Sequence, residues 1–328
     1  METTTNPQTE TLGYWAVQAI QKHLEKVISH ESEVLKDHDP EELHQMRVGM
    51  RRLRSAVVGF APVLKLPESA EDEKIGKIAR RLGKLRDLDV LLELLQNSYY
   101  SQLPPSEQEI VDKVLMDWVK QRHKAFRVVE WTLEHKIYQS LKEDLQDWVK
   151  EPNFTMLEKL PIDEVLPDLL LPQISHLFLH PGWQVGITQD LVNASEITPE
   201  TLKIILEKQG ESLHDLRKQA KKIRYQMSLF THFYSSKYLA YLEDIKAIQE
   251  HLGDIQDGMV LIKKIADKIP SKINSKLPTL INLLAESQYK SWQKWQELQQ
   301  RYLKPENRQE FRLELLNPVI EMGNGQWV

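Results

Sequence analysis

Apolar residues along most of this chain recur every three to four positions, the spacing of a helix that buries one face. The pattern predicts a first amphipathic helix from about Leu12 to Leu35. Asp39-Pro40-Glu41-Glu42 then offers a side-chain cap, a proline in the first turn and an acid three residues after the cap. These signals open a second helix that runs to about Leu64. A third is predicted from about Glu68 to Gln96, and a fourth from Pro104-Pro105-Ser106 as far as Lys150. Prolines at 152, 161, 167, 172, 181 and 199 interrupt the next stretch, which reads as a connector or as an irregular first helix of a second unit. Helical patterning resumes at about 199, with helices expected over 212–235, 238–268 and 276–303. Residues 1–11 and 304–328 read as tails, the first of them disordered. The fold class expected is all-α: a first bundle over about 12–150, a Pro-rich connector over about 152–198 and a second bundle over about 199–303.

The two bundles share a sequence. Leu43-His44-Gln45-Met46-Arg47 aligns with Leu213-His214-Asp215-Leu216-Arg217 at an offset of 170. At that offset Arg51 meets Lys221, Arg52 meets Lys222, and Arg54 meets Arg224. The apolar positions keep step, Met46 with Leu216, Leu53 with Ile223 and Phe60 with Phe230. Without a gap, Leu82-Gly83-Lys84-Leu85-Arg86-Asp87 then aligns with Leu252-Gly253-Asp254-Ile255-Gln256-Asp257. A helix pair with its connecting loop therefore occurs twice.

Each repeated helix carries cations on one side. At 100° per residue, His44, Arg47, Arg51 and Arg54 fall within about 80°, and Leu43, Met46, Met50, Leu53, Val57 and Phe60 are expected around the opposite side. The expectation is a basic face aimed away from the core. The second copy repeats it with His214, Arg217, Lys221 and Arg224, widened by Lys218 and Lys222. No acid occurs between Leu43 and Pro67, although the formal net charge of the chain is −5. Exposed faces usually mix signs, because like charges one turn apart repel. A one-sign stripe kept in two copies points to an anionic ligand. The following helix adds Lys77, Arg81 and Lys84. Gly83 and Gly253 sit where glycine costs about 1 kcal/mol against alanine, which suggests close helix packing. Asp87 and Asp257 are placed to orient a neighbouring cation.

Composition narrows the function. The chain has no cysteine, which suits a reducing, cytoplasmic setting and excludes thiolate metal sites. No run of about 18 apolar residues exists to span a membrane. The stripes contain neither a carboxylate cluster for magnesium nor a Gly-rich phosphate loop, so no catalytic residue, metal or cofactor is expected.

The pattern His44-x-x-Arg47-x-x-x-Arg51-Arg52-x-Arg54, with Leu82-Gly83-x-x-Arg86-Asp87-x-Asp89-Val90, resembles the first half of the CHAD family, the histidine-containing α-helical domain. Leu213-His214-Asp215-Leu216-Arg217 with Gln249-x-x-Leu252-Gly253-x-x-Gln256-Asp257 resembles its second half. The likeness covers about residues 12–303. It implies two four-helix bundles related by a pseudo-two-fold axis around a central basic channel. It further implies inorganic polyphosphate as ligand and association with polyphosphate granules. Two alternatives stand beside this reading, a nucleic-acid-binding helical protein and a polyphosphate-processing enzyme.

Overall fold

The computed structural model describes residues 11–187, 197–269 and 273–319, and among these it is helical, with two isolated β-bridges and no strand. The helices are α1 (Leu12–Ser29), α2 (Glu31–Lys36), α3 (Pro40–Gly59), α4 (Asp72–Glu93), α5 (Pro105–Glu134) and α6 (Lys136–Lys150). There follow α7 (Ile162–Phe178), α8 (Pro199–Met227), α9 (Ser236–Ala266), α10 (Ile273–Lys276), α11 (Pro278–Leu303) and α12 (Pro305–Leu315). None is long and apolar enough to cross a membrane. The chain divides into two compact units, one of residues up to Ser98 with Asp112–Val165, the other of Tyr99–Val111 with the residues from Leu166 onward.

In the first unit α3 packs between α1 and α4, and α6 packs on both α1 and α4. The start of α3 follows its sequence signals: the Asp39 carboxylate accepts from the Glu41 amide at 2.8 Å, and Pro40 opens the helix. Leu43, Met46, Met50, Leu53, Val57 and Phe60 are all buried along its inner side. Two helices expected to be continuous are broken, each at a histidine. At His30 the chain turns from α1 into α2, and Glu31 then accepts from Tyr138 Oη at 3.0 Å and from Lys142 Nζ at 3.1 Å on α6. His135 separates α5 from α6, its Nδ1 accepting from the Ile137 amide at 3.2 Å. Arg122 of α5 spans two acids, donating to both Asp37 oxygens at 2.6 Å and to Asp89 at 2.7 Å. Burial pushes the Asp89 carboxyl up, while Arg122 pulls it back.

In the second unit α9 packs on both α8 and α11. The buried side of α8 repeats that of α3, with Leu213, Leu216, Ala220, Ile223, Met227 and then Phe230. Residues 162–178, within the stretch read as a connector or an irregular helix, form α7, which runs straight through Pro167 and Pro172. Each proline inside a helix costs about 3 kcal/mol. Ile162, Leu166, Leu170, Ile174 and Leu177 are buried on one side of α7, and each such side chain returns about 1.5–3 kcal/mol, so burial wins. Residues 305–315, expected within a tail, form α12. Its Phe311 is fully buried and stacks on Tyr241 with ring centroids 4.2 Å apart. Phe178, Trp183, Tyr302 and Phe311 make one aromatic cluster. Residues 1–10 of the expected N-terminal tail lie outside the described residues, as do 188–196 of the connector and 320–328 of the C-terminal tail.

The first turn of α5 closes the start of α11. Glu107 is 2 % exposed, and its carboxylate accepts from the amides of Thr279 at 2.9 Å and Leu280 at 3.1 Å. Two orphan donors and the positive end of the α11 dipole are thereby satisfied by one acid from 172 residues away. Glu107→Ala should lower unfolding free energy by about 2 kcal/mol, the scale of a lost cap with charge-assisted hydrogen bonds. Equilibrium denaturation in urea measures it; a change below about 0.5 kcal/mol would refute the capping role.

Candidate anion-binding seams

The basic stripe of α3 does not point straight away from the core. At 100° per residue its centre lies about 110° from the centre of the apolar set, not 180°. Its arginines therefore lean over the crossing with α4. The Arg47 side chain is 20 % exposed and lies across Gly83, where a Cβ would meet its Nη2 at 3.4 Å. Asp87, one turn further along α4, faces the same guanidinium at 3.8 Å. Arg54 pairs with Asp72 at the start of α4, with contacts of 2.5 and 3.0 Å. The expected solvent-facing stripe is thus corrected to a seam.

The α8–α9 crossing repeats the arrangement. Arg217 is 22 % exposed and lies across Gly253, where a Cβ would meet its Nε and Nη2 at 3.3 Å. Asp257 faces it at 3.6 Å. Glycine suits both crossings, since a Cβ would touch the guanidinium, at ordinary contact distance over Gly83 and slightly closer over Gly253. Both ion pairs are longer than a hydrogen bond, so the acids orient the arginines without using up their donors.

Around each arginine the cations stay under-partnered. Arg217 Nε and His214 Nδ1 are buried with no hydrogen-bond partner among the described residues, and the same holds for Arg81 Nη1, Arg86 Nε and Arg52 Nε. A buried polar atom left unsatisfied costs about 1–3 kcal/mol. Burial, and then Arg86, Arg47 and Arg51, hold the His44 imidazole below its usual range. Burial, Lys218 and Arg217 do the same to His214. Both rings are therefore neutral donors at neutral pH in the free chain.

The remaining expected cations separate by partner. Lys218 is bound to Asp215 of its own helix at 2.5 Å, and Lys77 to Glu73 at 2.8 Å. Arg224 stacks on Tyr225 at 4.6 Å and donates to its hydroxyl at 2.8 Å. Lys84 and Lys222 are exposed, and Arg51 and Lys221 are half-buried on the striped sides of their helices. Arg52 lies on the other flank of α3, acting on His23 and Lys22 of α1. Arg86 belongs with the first seam, since it is half-buried and acts on His44 and Arg47. It stands in the basic run Lys84-Leu85-Arg86-Asp87 but was not among the cations expected at the site. Arg122 of α5 is committed to the Asp37 and Asp89 ion pairs and takes no part in either seam. Among the described residues no group of three or more His, Asp and Glu is placed to hold a metal ion.

A family model described as "CHAD domain" matches residues 18–266. No curated protein matches this chain. Among solved structures, the CHAD domain from the plant Ricinus communis is 24% identical, with a TM-score of 0.56 over 93% of this chain and 91% of that one. PptA from Streptomyces chartreusis is 13% identical, with a TM-score of 0.62 over 88% of this chain and 99% of that one. At such identities the likeness is one of fold. Repeated seams, helical architecture and a family match over most of the length agree: the chain belongs to the CHAD family.

Proposed function

We propose that this protein binds inorganic polyphosphate without transforming it, using the α3–α4 and α8–α9 seams as two basic tracks, and that this binding brings it to polyphosphate granules. The observation that carries the reading is the recurrence of an arginine laid across a glycine with an acid near 3.7 Å in both units. Polyphosphate has about one charge per phosphate and no bases, so regularly spaced forks and donors suffice to recognise it. Arg47 and Arg217 would each grip two phosphate oxygens, while His44 and His214 donate beside them. Arg51 and Lys221, with Arg86 in the first seam, extend the tracks. Arg54, Lys77, Lys218 and Arg224 serve mainly through the positive field, because each already has a partner. Arg81, Lys84 and Lys222 border the tracks, whereas Arg52, expected among these cations, faces α1 on the other flank of α3. Gly83, Asp87, Gly253 and Asp257 hold the two arginines in place.

Nucleic acid fits this surface less well. The seam residues His44, Arg47, Arg51, Arg86, His214, Arg217 and Lys221 bring no phenyl or indole ring with them. Base stacking needs an open ring face. Preference for single-stranded RNA over long-chain polyphosphate in direct competition would reverse this choice.

Arg47→Gln combined with Arg217→Gln should weaken binding of long-chain polyphosphate by at least about tenfold, the scale of lost charge-assisted hydrogen bonds. Titration calorimetry alongside a thermal melt separates this from unfolding; unchanged affinity in a folded variant rejects the seams. Binding should also tighten as pH falls. The two imidazoles are held low in the free chain, a bound polyanion raises them, and so complex formation takes up protons. The gain is complete below the free-state values and vanishes above the bound-state ones. A His44→Gln, His214→Gln variant should lose most of this slope across the ordinary histidine range, and a variant with the wild-type slope would place the proton uptake elsewhere.

A further inference from the structure

Helix α3 has a second charged flank, which the seam does not use. Arg52 lies about 120° around the helix from the centre of the stripe, facing α1 rather than α4. One turn before it, Gly49 brings the helices into contact: a Cβ there would meet Lys26 Cγ at 3.2 Å and Val27 Cγ2 at 3.1 Å. The stem of Lys26 therefore lies on the α3 backbone beside Arg52. Below them His23 is 5 % exposed, and its Nδ1 has no hydrogen-bond partner among the described residues. Arg52 Nε is likewise buried without a partner. The charges that act on His23 are all positive, from Arg52, Lys22 and Lys26, and together with burial they pull its imidazole down to about 3. The acid of this stretch of α1, Glu25, is exposed and accepts from Gln21 Nε2 at 2.9 Å.

Three cations crowded onto one helix contact repel each other, and buried donors left open add to the cost. A compact anion would relieve both. The cluster also stands outside the duplication, because at the offset of 170 Lys22, His23 and Lys26 align with Val192, Asn193 and Glu196.

We propose that Lys26 and Arg52, over the buried His23, form a separate oxyanion site on the α1–α3 flank of the first unit, taking a single compact phosphate group. That group is either free phosphate or pyrophosphate, or the doubly charged end of a longer chain. The site does not depend on the seams, and its ligand is recognised by charge density, not by length.

The test is titration calorimetry of the full chain with pyrophosphate at low ionic strength. Wild type should bind it, Lys26→Gln should lose at least about tenfold in affinity, and Lys26→Arg should retain it, since arginine keeps the charge. The Arg47→Gln, Arg217→Gln variant should keep a pyrophosphate site that a further Lys26→Gln substitution removes. Long-chain polyphosphate with free and with chemically blocked ends gives the source. If Lys26→Gln weakens only the free-ended chain, the site holds a chain terminus; if it weakens neither chain, the site serves the free anion. Absence of pyrophosphate binding, equal binding by Lys26→Gln, or loss in the seam variant instead would each overturn the site. Failure of the seam variant to lose long-chain polyphosphate would count against the proposed function and leave this flank standing.

Discussion

Arg47 and Arg217 each lie over a glycine at a helix crossing, packed against bare backbone. That arrangement orders much else in the two units. Gly83 and Gly253 leave room beneath the guanidinium, although glycine inside a helix costs about 1 kcal/mol. The buried faces of α3 and α8 must sit so that the stripe falls beside the next helix and not opposite the core. Asp87 and Asp257 must lie near enough to steer a guanidinium and far enough to leave its donors open, which their 3.8 and 3.6 Å separations achieve.

A different use of charge sits a few residues away. Arg122 makes short contacts to Asp37 and Asp89 and spends three of its N–H donors, one on each nitrogen, on holding the fold. Arg54 is similarly committed to Asp72. The contrast separates cations that hold the fold from cations held ready by it. Partly buried arginines beside neutral histidines make a surface whose positive field is weakly cancelled and weakly screened by water. A polyanion is the ligand class for which such a surface is complementary.

Much of this was legible in the residues. The all-α class, the N-cap of α3 and the buried positions of α3 and α8 follow from periodicity and local signals, and the register of the duplication matched Arg47 with Arg217 and Gly83 with Gly253. Other features were not legible because tertiary packing overrode a local cue. The prolines of α7 left a connector and an irregular helix both open, and the buried apolar stripe decides for the helix. Phe311 and Leu315 looked like part of a polar tail, yet an aromatic cluster in the same unit receives Phe311. The breaks at His30 and His135 carry no glycine or proline to announce them. Which cations were already paired could not be read at all, since Asp72 and Glu73 reach Arg54 and Lys77 only through the fold or a particular rotamer.

The most direct test of polyanion binding by the seams is the dependence of polyphosphate affinity on salt. Each phosphate held by a cation releases condensed counterions, so the logarithm of the binding constant should fall steeply and linearly with the logarithm of salt concentration, by roughly 0.7 per contact if the chain behaves as single-stranded nucleic acid does. Removing Arg47 and Arg217 should make that slope shallower by about 1 to 1.5. An affinity that barely changes between low and moderate salt, or a slope untouched by the two substitutions, would contradict the role assigned to the seams.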